Sequence, residues 1–275
     1  MKTHLLVIGL VSLCLHSGAY ALSPNQFTSL EYHVNTGVAS TLPYAADQLT
    51  PDFTNAFSFI TLEEELSIKL VTFIDTPNRD FNAKHINIRV RENVTTPRKS
   101  KITIKLRADN PQAFGELSGY KKAEVDYTEG NAAYSVSYDL PYSPNDIDIQ
   151  HVNIATVFDI IKRNQAMWDI VSDIYNQHKQ DLIQTVVMRT HGWDGFVKDK
   201  RFNDVEMEFQ IWTPYYRKPR ITFAEFSFKG SDGDKARLDE AYQYINQQVK
   251  AVGFDSSHQG SKTNSTFTIT EAFNQ

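Results

Sequence analysis

Charged side chains recur in this sequence at strand spacing, and the two signs are segregated. Lys69, then Arg89 and Arg91, then Lys105 and Arg107 close three successive alternating stretches. Later stretches answer with carboxylates: Glu124 and Asp126, Glu206 and Glu208, and Glu225. Guanidinium forks grip phosphate oxygens two at a time. Carboxylates gather hard divalent cations, which in turn bridge to phosphate. A basic set answered by an acidic set therefore points to a polyanionic ligand handled together with a metal.

The elements that must position these groups are strands. Across residues 62–70, one parity carries Leu62, Leu66, Ile68 and Leu70, and the other carries Glu63, Glu65, Ser67 and Lys69. A period of two means one apolar and one charged face. Residues 86–91 and 102–107 repeat the pattern, with a loop at 95–99 and a turn at Asp75-Thr76-Pro77-Asn78. Residues 122–126 are a weaker case, and 131–140, 185–191, 204–212 and 220–229 read as further strands. Helical spacing covers 152–183, and 235–252 reads as an amphipathic helix ending near Gly253. Residues 22–51 read as an irregular lead-in and 255–275 as a polar tail. His191, Trp193 and Asp194, set beside glycines, read as a turn after a strand.

A charged strand face is ordinarily the wet side of an antiparallel sheet. If the sheet closes into a barrel, that face becomes a lumen instead. A lumen lined by opposite charges is costly to build, and it makes sense as a container for a polyanion and a metal. Arg and Lys on the inward faces argue against a barrel for apolar ligands.

The chain has 275 residues, a formal net charge of −5 and a single cysteine. Residues 1–21 have the form of a cleavable signal peptide: Lys2 and His4, an apolar run at 5–15, then Ala19-Tyr20-Ala21. That run is too short to span a bilayer, and no later segment is long and apolar enough. The expectation is an exported protein, periplasmic or secreted, that leaves the membrane after cleavage. Cys14 lies within the signal, so a mature chain from Leu22 has no disulfide. Leu13 stands where lipidation of Cys14 needs a small residue. About 250 mature residues without a linker or repeat suit one domain, 22–275. The acidic balance argues against nucleic acid as a partner.

The ordered set of strands resembles the CYTH superfamily, the triphosphate tunnel metalloenzymes. Residues 65–69, ending at Lys69, resemble its Glu-x-Glu-x-Lys signature, and Phe73-Ile74-Asp75-Thr76-Pro77 resembles the segment that follows it. Ile88-Arg89-Val90-Arg91 resembles the Leu-Arg-x-Arg strand, and Ile102-Thr103-Ile104-Lys105 the strand that presents a Lys. Lys122-x-Glu124-x-Asp126, Val187-Met188-Arg189, Glu206 or Glu208, and Ala224-Glu225-Phe226-Ser227 resemble later motifs. Ser67 and Ser227 stand where the family has Glu, and Glu63 is placed to compensate on the same face.

The resemblance, over residues 62–252, implies an α+β fold: a closed antiparallel β-barrel of about eight strands with flanking helices. It implies a metal-dependent phosphohydrolase for a triphosphate-containing substrate, such as inorganic tripolyphosphate, polyphosphate or a nucleoside triphosphate. Glu65, Lys69, Glu206 and Glu208 would be catalytic. Lys69, Arg89, Arg91, Lys105, Arg107, Lys122, Arg189 and Lys229 would grip the substrate. Glu63, Glu65, Glu124, Asp126, Glu206, Glu208 and Glu225 would hold Mg²⁺ or Mn²⁺. The same tunnel would also serve a non-catalytic binding protein for a phosphorylated or other anionic ligand, which Ser67 and Ser227 favour.

Overall fold

The charged parity of the strands faces inward, and the apolar parity carries the main core on the outside of a ring. The computed structural model describes residues 21–38, 49, 51–128, 131–215, 223–253 and 261–274. Residues 1–20 of the expected export signal lie outside the described residues.

The strands are β1 (Ser29–Val38), β2 (Ile60–Asp75), β3 (Ile86–Asn93), β4 (Lys101–Ala108), β5 (Lys122–Thr128), β6 (Asn131–Pro141), β7 (Ile183–Gln184), β8 (Met188–Val197), β9 (Glu206–Pro214) and β10 (Phe223–Ser231). The helices are α1 (Pro51–Ala56), α2 (Asp80–Ala83), α3 (Ile154–Ile161), α4 (Gln165–His178), α5 (Lys235–Ala251) and α6 (Lys262–Asn274). Around the ring the order is β3, β4, β6, β5, β1, β10, β9, β8, β2, and β2 pairs back onto β3 to close it. The two-residue β7 only extends one end of β2.

The ring thus has nine strands rather than about eight. The added strand is β1, inside the stretch expected to be irregular. It lies antiparallel to β10 and parallel to β5, the one parallel pair in the ring. Parallel neighbours need a long crossover, and the chain between β1 and β5 supplies it.

The outward face of β1 explains why it forms. Leu30, Tyr32 and Val34 are buried and alternate with Glu31, His33 and Asn35. The Tyr32 ring stacks on Tyr127 of β5 and Phe228 of β10, its register partners, at 4.6 and 5.2 Å. Its hydroxyl donates to Asp239 Oδ1 of α5 at 2.5 Å. α5 covers this face with Leu238, Ala241, Ile245 and Val249. Phe53 and Phe57, from α1 and just beyond it, sit against Phe209 of β9 at 4.7 and 6.3 Å. Burying each such ring contributes about 2–3 kcal/mol.

The helical stretch divides into α3 and α4. Asn153 and Asn164 cap them by accepting from the Thr156 and Met167 amides. The Asp75 turn is structural: its carboxylate accepts from the Thr76, Phe81 and Asn82 amides. His191, Trp193 and Asp194 lie within β8 and not in a turn. Gly195 there lets β2 approach, since a Cβ would fall 2.1 Å from the Thr61 carbonyl oxygen.

The polar tail folds as α6 and stops one end of the ring. Phe267 and Ile269 join the inward-facing Val71, Phe73, Met188, Trp212 and Phe223 in a second apolar cluster. Among the described residues no helix is long and apolar enough to cross a membrane.

Candidate functional site

The ring encloses a lumen of about 670 Å³. Ten lysines and arginines and six carboxylates are among its described lining residues, an excess of four positive charges. A cavity of this size suits a small-molecule ligand, and its charge suits an anion.

Strand register explains who lines it. On β3, Arg89 and Arg91 lie opposite Thr103 and Lys101 of β4, and Asn87 lies opposite Lys105. All six face the lumen, as does Arg107. Lys69 of β2 faces Thr190 of β8 across the ladder and reaches Glu208 Oε1 of β9 at 3.1 Å. Gly192 makes room for that carboxylate, because a Cβ would fall 2.8 Å from Glu208 Oε1.

Each lining carboxylate has a cation beside it. Asp139 meets Lys101 at 2.5 Å, Glu124 meets Lys105 at 3.1 Å and also Lys122, and Asp126 meets Lys105 at 2.8 Å. Glu31 meets Lys229 at 3.0 Å, and Glu225 meets Lys262 of α6. Burial alone would raise the Glu208 and Asp126 carboxyls, but the Lys69 and Lys105 ammonium groups hold both below the usual range. For Glu225, burial is outweighed by Lys262 and His33, and the carboxyl falls to about 2.

Arg89 and Arg91 differ. Among the described residues neither forms an ion pair. Arg89 Nε is shut off from solvent with no hydrogen-bond partner. Burial first, and the neighbouring Arg91 charge second, push the Arg89 guanidinium down to about 9. Burial lowers Arg91 as well.

Of the expected site residues, Lys69, Arg89, Arg91, Lys105, Arg107, Lys122, Glu124, Asp126, Glu208, Glu225 and Lys229 come together around the lumen. Lys229 stands half-exposed at its rim. Arg189 does not join them. Its register partners are Leu70 and Thr213, while the adjacent Thr190 faces inward, so Arg189 takes the opposite face. Glu206 is exposed at the start of β9, outside the lumen. Glu63 is exposed beside a register shift between Leu62 and Leu66. The side chain of Glu65 lies outside the described residues.

Sequence reasoning missed Glu31, His33 and Asn35 of β1, Lys101, Asp139 of β6, and Lys262 of α6. The signal for β1 was present in Leu30-Glu31-Tyr32-His33-Val34-Asn35, which alternates with period two. The first strand of the barrel therefore presents Glu31-x-His33-x-Asn35, and residues 65–69 belong to the second. Ligand atoms of Glu31, His33 and Asp126 all lie within 4.8 Å of one another. Two carboxylates and an imidazole form a donor set that suits a divalent cation.

No protein-family model matches the sequence, and no curated protein matches it. Solved structures do. A Hippeastrum protein, HpAC1, described as an adenylyl cyclase with a dominant triphosphatase activity, superimposes on 90% of this chain and 96% of its own. The identity is 12% and the TM-score 0.51. An adenylate-cyclase-type protein from Bacillus halodurans and PH1819 from Pyrococcus horikoshii align at 10% and 9% identity, each with a TM-score of 0.44. They cover 88% of this chain and 100% and 99% of their own. The first shows that the fold is shared: a closed tunnel-like barrel, α+β, with flanking helices.

Proposed function

We propose that this chain takes a linear polyphosphate group, of inorganic tripolyphosphate or a nucleoside triphosphate, into the tunnel and hydrolyses its terminal phosphoanhydride bond. The observation that carries this is the Arg89–Arg91 pair, two guanidinium groups withdrawn from water and aimed into the lumen, with no ion pair to either among the described residues. Like charges in that position are costly unless a guest anion completes them. Phosphate oxygens match the guanidinium fork bidentately.

Lys105, Arg107 and Lys122 surround the same space and extend the contact along a chain of phosphates. The arginines would neutralise the non-bridging oxygens and the charge that grows on them as the anhydride bond loosens. The apolar cluster that α6 forms with β2, β8, β9 and β10 would close one end of the tunnel, so that the ligand enters from the other. The Glu31, His33 and Asp126 cluster fits the divalent cation implied by the resemblance. Asp126 is buried with Oδ1 lacking a hydrogen-bond partner, and the donors converge. A cation there supplies Lewis-acid polarisation of a phosphoryl oxygen.

A second reading is binding without hydrolysis. The observation in its favour is that every described acid of the lumen already has a basic neighbour, and that Ser227 offers a hydroxyl where the family has a carboxylate. The two readings share a ligand and part at phosphate release.

The test is phosphate release from tripolyphosphate and ATP with Mg²⁺, Mn²⁺ or EDTA. Metal-dependent release that disappears in Arg89→Ala/Arg91→Ala supports the hydrolase. Thermal stabilisation by tripolyphosphate without release supports the binder. Neither effect would sink both. The apolar start of the chain further supports export, where polyphosphate or scavenged nucleotides are the available substrates. A product that stays in the cytoplasm with residues 1–21 still attached would overturn that placement.

A further inference from the structure

His33 is the only imidazole among the described lumen residues, and both of its ring nitrogens face carboxylates. Nε2 lies 3.9 Å from Glu31 Oε2, and Nδ1 lies 3.7 Å from Glu225 Oε2. The register fixes this arrangement. Glu31 sits beside Asp126 on β5, and His33 lies beside Ser227 on β10, whose short side chain leaves room for the ring. Asp126 is 7% exposed and its Oδ1 has no hydrogen-bond partner, and His33 Nδ1 is likewise buried without one. Three strands thus converge four donors on one corner of the lumen.

We propose that this corner is a nitrogen-containing metal centre that selects first-row transition ions over Mg²⁺, with Glu31, Asp126 and His33 Nε2 as ligands and Glu225 orienting the ring through Nδ1–H. It rests on, and deepens, the assignment of the tunnel as a metal-assisted phosphate site. Mg²⁺ takes oxygen donors and gives up its water reluctantly. An imidazole nitrogen favours Mn²⁺, Co²⁺ or Zn²⁺, rising along the Irving–Williams order. A carboxylate on the far ring nitrogen fixes the tautomer and raises the basicity of the ligating one. Lys229 on Glu31 and Lys105 on Asp126 neutralise the two acids in the absence of a cation. Lys229, with 56% of its side chain exposed, is placed to swing out to water when the ion arrives.

The experiment uses the full purified chain, stripped with EDTA and desalted, with metal alone and no substrate. Calorimetry should show one Co²⁺ per chain, bound at least about tenfold more tightly than Mg²⁺. His33→Gln should weaken Co²⁺ about 10- to 100-fold while leaving Mg²⁺ within about twofold. Pulsed EPR on the wild type loaded with Mn²⁺ should show coupling to an imidazole nitrogen, a readout independent of whether any variant folds. Equal affinities for Co²⁺ and Mg²⁺, an unchanged Co²⁺ affinity in His33→Gln, or absent nitrogen coupling would each overturn the centre. Tripolyphosphate stabilisation measured in EDTA separates the two assignments. Nitrogen-coupled metal without that stabilisation supports the centre and sinks the phosphate site. Stabilisation without nitrogen coupling sinks the centre alone.

Discussion

The two walls of the lumen differ in what each leaves over. On the side built by β1, β5, β9 and β10, the acids are matched: Glu31 by Lys229, Asp126 by Lys105, Glu208 by Lys69 and Glu225 by Lys262. On β3, Arg89 and Arg91 face the same space, and among the described residues neither forms an ion pair with a carboxylate. The first wall is neutralised largely from outside, by Lys69 of β2, Lys105 of β4 and Lys262 of α6. On the proposed function, a guest anion completes the second. On that proposal the ligand is specified by the cations left without an ion pair, while the carboxylates are held under lysines.

That contrast is breakable, and the sharpest break is at the arginines. Arg89→Ala/Arg91→Ala should cost about 1,000-fold in tripolyphosphate affinity, from two charge-assisted contacts of about 2 kcal/mol each. Thermal stability should hold or rise, because two desolvated like charges are relieved. If binding survives while stability collapses, the arginines are structural and the contrast is gone. Lys262→Ala attacks the matched wall instead. It leaves Glu225 buried with only His33 beside it, so urea unfolding should show a loss of about 3 kcal/mol. A loss below about 1 kcal/mol would mean that pairs do not hold this wall together.

Acid should separate the walls without mutation. The Glu225 carboxyl is held at about 2 against an ordinary 4.5, burial being outweighed by Lys262 and His33. A depressed carboxyl contributes stability that is complete above its unfolded value and disappears as pH falls through the folded one. The melting temperature should therefore drop between about pH 4.5 and pH 2 as the matched wall protonates, while the arginines stay charged. A flat profile across that window would show that the matched acids contribute nothing. The smallest effect is expected of Gly192→Ala. Its Cβ would press on Glu208 Oε1 and loosen the contact with Lys69, costing about 1 kcal/mol by chemical denaturation. A neutral result would show that Glu208 moves aside without loss.

The basic wall was legible in the sequence because β3, β4 and residues 66–70 of β2 alternate cleanly and their charged parity is unbroken at Lys69, Arg89, Arg91 and Lys105. β1 carried the same signal in only six residues, inside a polar stretch, and its partners lie far along the chain. Glu63 was misplaced because the register shifts between Leu62 and Leu66, so alternation counted through it no longer tracks the lumen face. Arg189 needed the β2–β8 register, which sequence does not supply: a one-residue difference sends it outward and Thr190 inward. α6 was not legible at all. Thr263, Ser265, Thr266, Thr268 and Thr270 are poor helix formers. Ser265, Thr266 and Thr270 donate back to carbonyls one turn earlier. Packing of Phe267 and Ile269 into the tunnel end makes this segment a helix, and no local pattern announces it.

The seam between β1 and β10 also sets an order of events in time. β1 belongs to the first described strand and β10 ends at Ser231. The ring therefore stays open until nearly the whole chain is available, and its last joint spans the longest loop. Such distant pairing folds slowly. Until the joint forms, the unpaired flanks of β1 and β10 are sticky edges. The interval between synthesis and closure is the period in which this molecule is most exposed to aggregation and to proteolysis.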